Sequence, residues 1–158
     1  MSDTFEGDII RPLGLVTLHF GYVEYEVDSL LERLAAAGLL PSSLSQRPIG
    51  QKLGLLVDAL SVLGPSARTE FDELHSEIQE LLAARNTLIH GCIIGCGRVI
   101  SGRVGVAEGR TSPADLSSLA DRAFTWKERL WAYRWKQCEP LLKAMAPPNT
   151  SLERGREG

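Results

Sequence analysis

The sequence predicts an all-α protein, an up-and-down bundle of about four main helices with a short Gly-rich β-like hairpin or loop between helices 3 and 4. Three observations carry this. Apolar residues recur at three- and four-residue steps through four long segments, the period of a helix that buries one face. Glycine and proline punctuate the chain at Pro12, Gly38, Gly64-Pro65, Gly91 and Ser112-Pro113, where those helices would start or stop. Between Cys92 and Val106 the helical period disappears, and glycines and β-branched residues take its place.

The first helix spans Leu13 to Ala36, with Val16, Phe20, Val23, Val27, Leu30 and Leu34 on one face. Pro12 fits its first turn and Gly38 its C-terminal cap. Glu24, Glu26, Asp28 and Glu32 fall mostly on the other faces and read as solvated. Leu39 to Pro48, rich in Ser, Pro and Leu, is a connector. A second helix runs from about Ile49 to Leu63, with Leu53, Leu56, Val57, Leu60 and Leu63 inward, and Gly64-Pro65 stops it. The third begins at the N-cap candidate Ser66 and carries Phe71, Leu74, Ile78, Leu81, Leu82 and Ile89 in a stripe up to Gly91. The segment after it fits a small β-hairpin or a mobile glycine loop, and the residues do not choose between them. Ser112-Pro113, with Asp115 downstream, opens a long fourth helix to about Met145, broken near Pro140. Residues 1–146 thus form a single domain, and residues 147–158 are expected to be a disordered tail.

A chain of 158 residues with 44% hydrophobic and 23% charged residues has the composition of a soluble globular domain. It holds no run near the roughly 20 apolar residues that cross a bilayer. The acidic start, Met1 to Asp8, lacks the basic and apolar regions of a signal peptide. Three cysteines, Cys92, Cys96 and Cys138, suit a reducing compartment better than a disulfide framework, so a cytoplasmic location is expected. The net charge of −3 conceals an asymmetry. Residues 1–84 carry five basic and thirteen acidic side chains, and residues 85–143 ten basic and five acidic. A basic half can attract a polyanion, although helical proteins also scatter charge in this way.

The one chemically pointed segment is Arg85-Asn86-Thr87-Leu88-Ile89-His90-Gly91. Cleaving RNA without a metal needs a group that takes the 2′-hydroxyl proton and another that stabilises charge on the phosphorane. Histidine exchanges protons near neutral pH, and the arginine fork matches phosphate oxygens. His90 would close the third helix, where the dipole favours imidazolium. Asn86 and His90, four apart, share a face, so the amide can orient the imidazole. Arg85 and His90, five apart, lie roughly 140° around the helix and do not converge unaided.

This string, ending a helix inside a small bundle, resembles the HEPN superfamily, whose nuclease members carry an Arg, a polar residue and a His after four to six intervening positions. The motif covers about seven residues, while the order of helices is similar over most of the chain. The resemblance implies a metal-independent endoribonuclease in which two copies of the motif line one cleft of a homodimer. Arg85 would hold the scissile phosphate, Asn86 orient His90, and His90 act as general base or acid, leaving a 2′,3′-cyclic phosphate. Such an enzyme is similar to the toxin half of toxin–antitoxin or phage-defence systems, which implies a neutralising antitoxin protein. It implies no cofactor and no metal. The alternative is a non-catalytic helical module for dimerisation or partner docking.

Other groups carry less. His90, Cys92, Cys96 and Cys138 are too irregularly spaced for a zinc site, and buried free thiols explain the cysteines better. The run Trp126 to Lys136 interleaves aromatics with cations in the manner of single-strand binders. Phe124, Trp131 and Trp135 share a helical face, however, and Trp131 and Trp135 are read as packing residues of the core or a dimer interface. Arg129 and Arg134, with Arg98, Arg103 and Arg110 from the insertion, could border an RNA cleft. Gly95-x-Gly97 lacks the spacing and Lys of a phosphate loop. His19 and His75 are isolated, and Ser, His and Asp stand in no hydrolase context.

Overall fold

The computed structural model of the chain describes residues 8–41, 46–94, 98–101 and 109–146. Four helices form the predicted bundle: α1 (Ile10–Ala36), α2 (Ile49–Leu63), α3 (Pro65–His90) and α4 (Pro113–Tyr133). A π-helical turn (Arg134–Cys138) leads from α4 into the short α5 (Glu139–Met145). Between α3 and α4 lies a small antiparallel sheet of β1 (Gly91–Ile94), β2 (Arg98–Ser101) and β3 (Gly109–Arg110), in the order β1-β2-β3. Cys92 pairs with Ile100 and Val99 with Gly109, so the insertion takes the strand form. Among the described residues no helix is long and apolar enough to cross a membrane.

The helix ends follow local chemistry. Helix α1 starts at Ile10, three residues earlier than expected, because the Asp8 carboxylate accepts from the Ile10 backbone N–H at 2.9 Å. Pro12 then falls within the first turn, where its missing N–H is not needed. At the other end Gly38, with φ +77°, lets its N–H reach the Ala35 carbonyl and that of Leu39 reach Leu34. This is the paired closure that a left-handed residue after a helix permits. Gly64, with φ +126°, turns α2 into α3, and Pro65 rather than Ser66 occupies the start of α3. Its fixed φ suits a first helical position. Ser112 and Asp115 cap α4 reciprocally, the Asp115 N–H donating to Ser112 Oγ at 3.1 Å and the Ser112 N–H to Asp115 Oδ2 at 2.9 Å. The break expected near Pro140 is the π-helical turn before it. Pro140 has no N–H to give the Lys136 carbonyl, and the widened turn absorbs the mismatch.

Contacts between side chains fix the helix directions. His19, Glu26 and Arg33 of α1 meet Ala120, Arg134 and Glu139 in that order, so α1 and α4 run parallel. Ala67, Leu74 and Glu80 of α3 meet Tyr133, Trp126 and Arg122, so α3 runs antiparallel to α4. The bundle is as predicted, and these directions refine it. Strict alternation holds across the sheet from α3 to α4 but not between α1 and α4, since the long link after α1 imposes no tight reversal.

All six stripe residues of α1 are buried, and they meet Leu53, Leu56 and Leu60 of α2 and Phe71, Leu74, Ile78 and Leu81 of α3. Helix α4 corrects one expectation. Its buried tryptophan is Trp126, whose indole N–H donates to the Leu74 carbonyl at 2.8 Å. Trp131 and Trp135 are 46% and 49% exposed. Helix α4 carries two apolar stripes, and the one with Leu116, Ala123, Trp126, Leu130 and Tyr133 faces the core. The acidic residues of α1 need a second correction. Glu26 is buried against Arg134, Glu24 meets Arg85, and Asp28 meets Lys52 at 2.6 Å.

Candidate functional site

Arg85 continues the core-facing stripe of α3. It follows Phe71, Leu74, Ile78 and Leu81 at helical steps, so its stem enters the bundle where an apolar residue would ordinarily sit. The guanidinium lies over the Phe20 ring of α1, 5.9 Å from its centroid. Its Nη2 stands 3.5 Å from Glu24 Oε1, and its Nη1 donates to Asn86 Oδ1 at 3.4 Å. Both contacts are longer than a well-formed N–H···O bond. The Arg85 Nε is buried and has no partner among the described residues. The side chain is 26% exposed, so one edge of the fork reaches solvent.

The local alternatives for Arg85 on its own helix are taken by other bases. Glu77 pairs with Arg129 and Glu80 with Arg122, both from α4. Arg85 therefore turns across to α1 and holds its charge with incomplete satisfaction, which costs stability unless a further acceptor arrives.

Asn86 is exposed beside Arg85. His90 is the last residue of α3, directly before β1, and its side chain lies outside the described ones. Of the arginines expected at an RNA cleft, Arg129 is half exposed and engaged by Glu77. Arg134 is mostly buried against Glu26 at 3.4 Å, with its guanidinium 5.4 Å from the Trp135 centroid. Arg98 lies on β2, opposite Arg110 of β3, with both side chains outside the described ones, and Arg103 falls outside the described residues altogether. Arg85 meets the α3 side of α1 and Arg134 its α4 side, so the two are not brought together.

These pairs also account for the charge asymmetry. Glu24–Arg85, Glu26–Arg134, Glu77–Arg129 and Glu80–Arg122 each join an acid of the first half to a base of the second. Much of the basic half is neutralised inside the molecule rather than offered to a polyanion.

Two features escaped sequence reasoning, and the expected buried free thiol is seen at Cys138. Glu24 and Phe20, which receive Arg85, carry no signal beyond charge and apolarity, because their partner is remote in the chain. His19 is no isolated histidine. Its Nδ1 lies 2.7 Å from the Ala120 carbonyl, and its ring packs 5.3 Å from that of Phe124. Cys138 is buried beside Tyr133, and burial pushes its thiol up to about 11, far from a reactive thiolate. Burial raises Tyr133 as well, and its hydroxyl donates to the Ala67 carbonyl at 2.7 Å. The side chain of Cys92 and the whole of Cys96 lie outside the described residues.

Comparison of the chain with known protein families, with curated proteins and with solved structures finds no match in any of the three.

Proposed function

We propose that this chain is a metal-independent endoribonuclease of HEPN type, acting as a homodimer and cutting RNA through its own 2′-hydroxyl. The observation that carries the reading is the under-satisfied Arg85 guanidinium, set into the core stripe of α3 five residues before His90. A fixed cation with spare N–H donors and one solvent-facing edge suits a phosphate oxygen that becomes more negative in the transition state. His90 takes the 2′-hydroxyl proton, the 2′-oxygen attacks phosphorus, and the 5′-oxygen leaves and is protonated. The products are a 2′,3′-cyclic phosphate and a 5′-hydroxyl end. Asn86 orients His90, while Arg98 and Arg103 border the RNA path. A toxin-like or defence role, with a neutralising protein partner, goes with this reading.

The test is cleavage of RNA in EDTA by wild type, His90→Ala and Arg85→Ala, with analysis of product ends. Cyclic phosphate ends that disappear in both variants support the assignment. A folded wild type that cuts no RNA class moves the reading to a non-catalytic helical binding module. That second reading has its own support in the exposed aromatic side chains Tyr22 and Tyr25 of α1 and Phe124 and Trp131 of α4.

A further inference from the structure

The interleaved aromatics and cations from Trp126 to Lys136 are a sequence motif that the proposed site leaves unused. Its outward rings do not pack in the core, because Trp131 and Trp135, with Phe124 on the same side of α4, are all 41% to 49% exposed. They adjoin a face of α1 that is equally open. Gly14, Thr17, Leu18, Gly21, Tyr22 and Tyr25 recur there at three- and four-residue steps, all exposed and none charged. The solvent side of a surface helix ordinarily carries charged and polar residues. The two faces meet at a seam. The His19 ring lies 5.3 Å from that of Phe124 and 6.3 Å from that of Tyr22, and Lys127 Nζ stands 4.5 Å and 5.9 Å from the same two centroids. We infer that this face is a stacking platform for single-stranded RNA. Bases lie against Tyr25, Tyr22, Phe124 and Trp131, and Lys127 meets the sugar–phosphate backbone. The inference deepens the nuclease reading by giving the substrate a path away from Arg85, and it rests on that reading only for the choice of RNA.

Four arguments choose that occupant. The first is composition. Among the large apolar side chains of this face only Leu18 is aliphatic, and the others are aromatic rings with an open side. A base of any identity stacks on such a ring, whereas a duplex keeps its bases stacked on one another and offers them none. The second is the pair of glycines. Glycine inside a helix is unfavourable relative to alanine, and a Cβ at Gly14 or Gly21 would meet nothing within 4 Å. No packing inside the molecule therefore asks for glycine there, while a strand lying close on the helix backbone does. The third is continuity with the candidate site. Glu24, which faces Arg85, and Tyr25 are successive residues of α1. A strand held at Arg85 reaches the rings by crossing one helix at Gly21, a width of about 10–12 Å. The fourth is the cation at the seam. Lys127 is matched by Glu128, its chain neighbour, whose side chain is half exposed. Such a surface pair is worth little, so a phosphate can take its place. Glu24 and Glu32 border the α1 face, so affinity rests on stacking more than on charge, and its dependence on salt should be shallow.

The test is binding of the full chain to a dye-labelled 2′-O-methyl oligoadenylate of about 12 nucleotides, which has no 2′-hydroxyl to attack and so cannot be cut. Anisotropy gives the affinity, and tryptophan quenching reports stacking, because Trp126 is buried while Trp131 and Trp135 are open. Wild type should bind with quenching, and a hairpin duplex of the same chemistry should bind far more weakly. Trp131→Ala and Tyr25→Ala should each weaken binding roughly 10-fold. Gly21→Gln should weaken it as well, although its melting temperature should rise. Lys127→Gln should reduce the slope of log affinity against log salt by about 0.7, the contribution of one phosphate contact. Circular dichroism checks that each variant is folded, and should one fail to fold the other three decide. A folded wild type that binds no such strand overturns the inference and leaves the face to a protein partner. Equal affinity in all four variants overturns it too, as does a duplex bound as tightly as the single strand. The two readings fail separately. A chain that binds through these rings yet cuts no RNA keeps the platform and ends the nuclease reading. A chain that cuts RNA while the variants bind like wild type keeps the nuclease and ends the platform.

Discussion

Three arginine–glutamate pairs tie α1 to its neighbours, and two of them are built in opposite ways. Arg33 meets Glu139 through two parallel bonds, Nε to Oε1 and Nη2 to Oε2, each 2.7 Å long. Glu139 is buried, and its carboxyl is held below the usual carboxylate range by hydrogen bonding to Arg33, while Arg33 is raised by the same contact. Arg85 meets Glu24 through a single 3.5 Å approach and keeps a buried Nε without a partner among the described residues. The first pair is closed, because its fork is used up inside the protein. The second is open, with donors left over at the end of the helix that carries His90. Arg134 and Glu26 lie between the two in character, buried like the first and loosely matched like the second at 3.4 Å.

On the proposed ribonuclease reading, the largest effect that separates the two pairs is on activity. Arg85→Ala should lower RNA cleavage by roughly 100- to 1000-fold, the range for removing one charge-stabilising donor. Its melting temperature should move little, since the lost contacts are long. Arg33→Ala should leave cleavage within about threefold of wild type. Initial rates on one RNA substrate, with melting curves on the same preparations, read both quantities. Equal losses of activity in the two variants would erase the distinction.

Stability should show the reverse order. Breaking a buried ion pair costs about 3–5 kcal/mol. Arg33 is itself half exposed, so screening reduces this to about 2–3 kcal/mol. For a chain of this size that is a fall in melting temperature of roughly 5–10 °C. Arg85→Ala should cost under about 1 kcal/mol. Urea unfolding of the two variants beside wild type measures the gap.

The closed pair should also have an acid limit. Because the folded pKa of Glu139 is depressed, its contribution is present above the unfolded value of about 4.3 and is lost as pH falls through the lower folded value. The stability difference between wild type and Glu139→Gln should hold steady above about pH 5 and shrink below about pH 4. A difference that widened on acidification would mean that Arg33 does not control this carboxylate.

How much of this was legible beforehand depends on distance along the chain. The six buried positions of α1 and the span of α2 could be read off because period and punctuation are local signals. The position of Arg85 on the core stripe was readable too, by counting helical steps from Phe71. Its partner was not, since Glu24 lies on another helix and any of several acids could have served. The tryptophans failed for a related reason. Both stripes of α4 have helical spacing, and only the Leu74 carbonyl, which accepts from Trp126, distinguishes them. Helix direction likewise rests on remote contacts such as Arg33 with Glu139, which no local pattern encodes.

The smallest expected effect bears most directly on what the open pair is for. Glu24→Gln removes the negative charge facing Arg85 while keeping size and hydrogen-bonding capacity. A partly exposed pair at 3.5 Å contributes only about 0–1 kcal/mol, so the melting temperature should barely move. A phosphate arriving at Arg85 would no longer compete with the carboxylate, and RNA should bind a few-fold more tightly, seen as a lower KM with kcat little changed. The opposite result, a fall in kcat towards that of Arg85→Ala, would mean that Glu24 positions the guanidinium rather than competing for it. The 3.5 Å approach would then be a working contact, and the contrast with Arg33–Glu139 would reduce to one of strength.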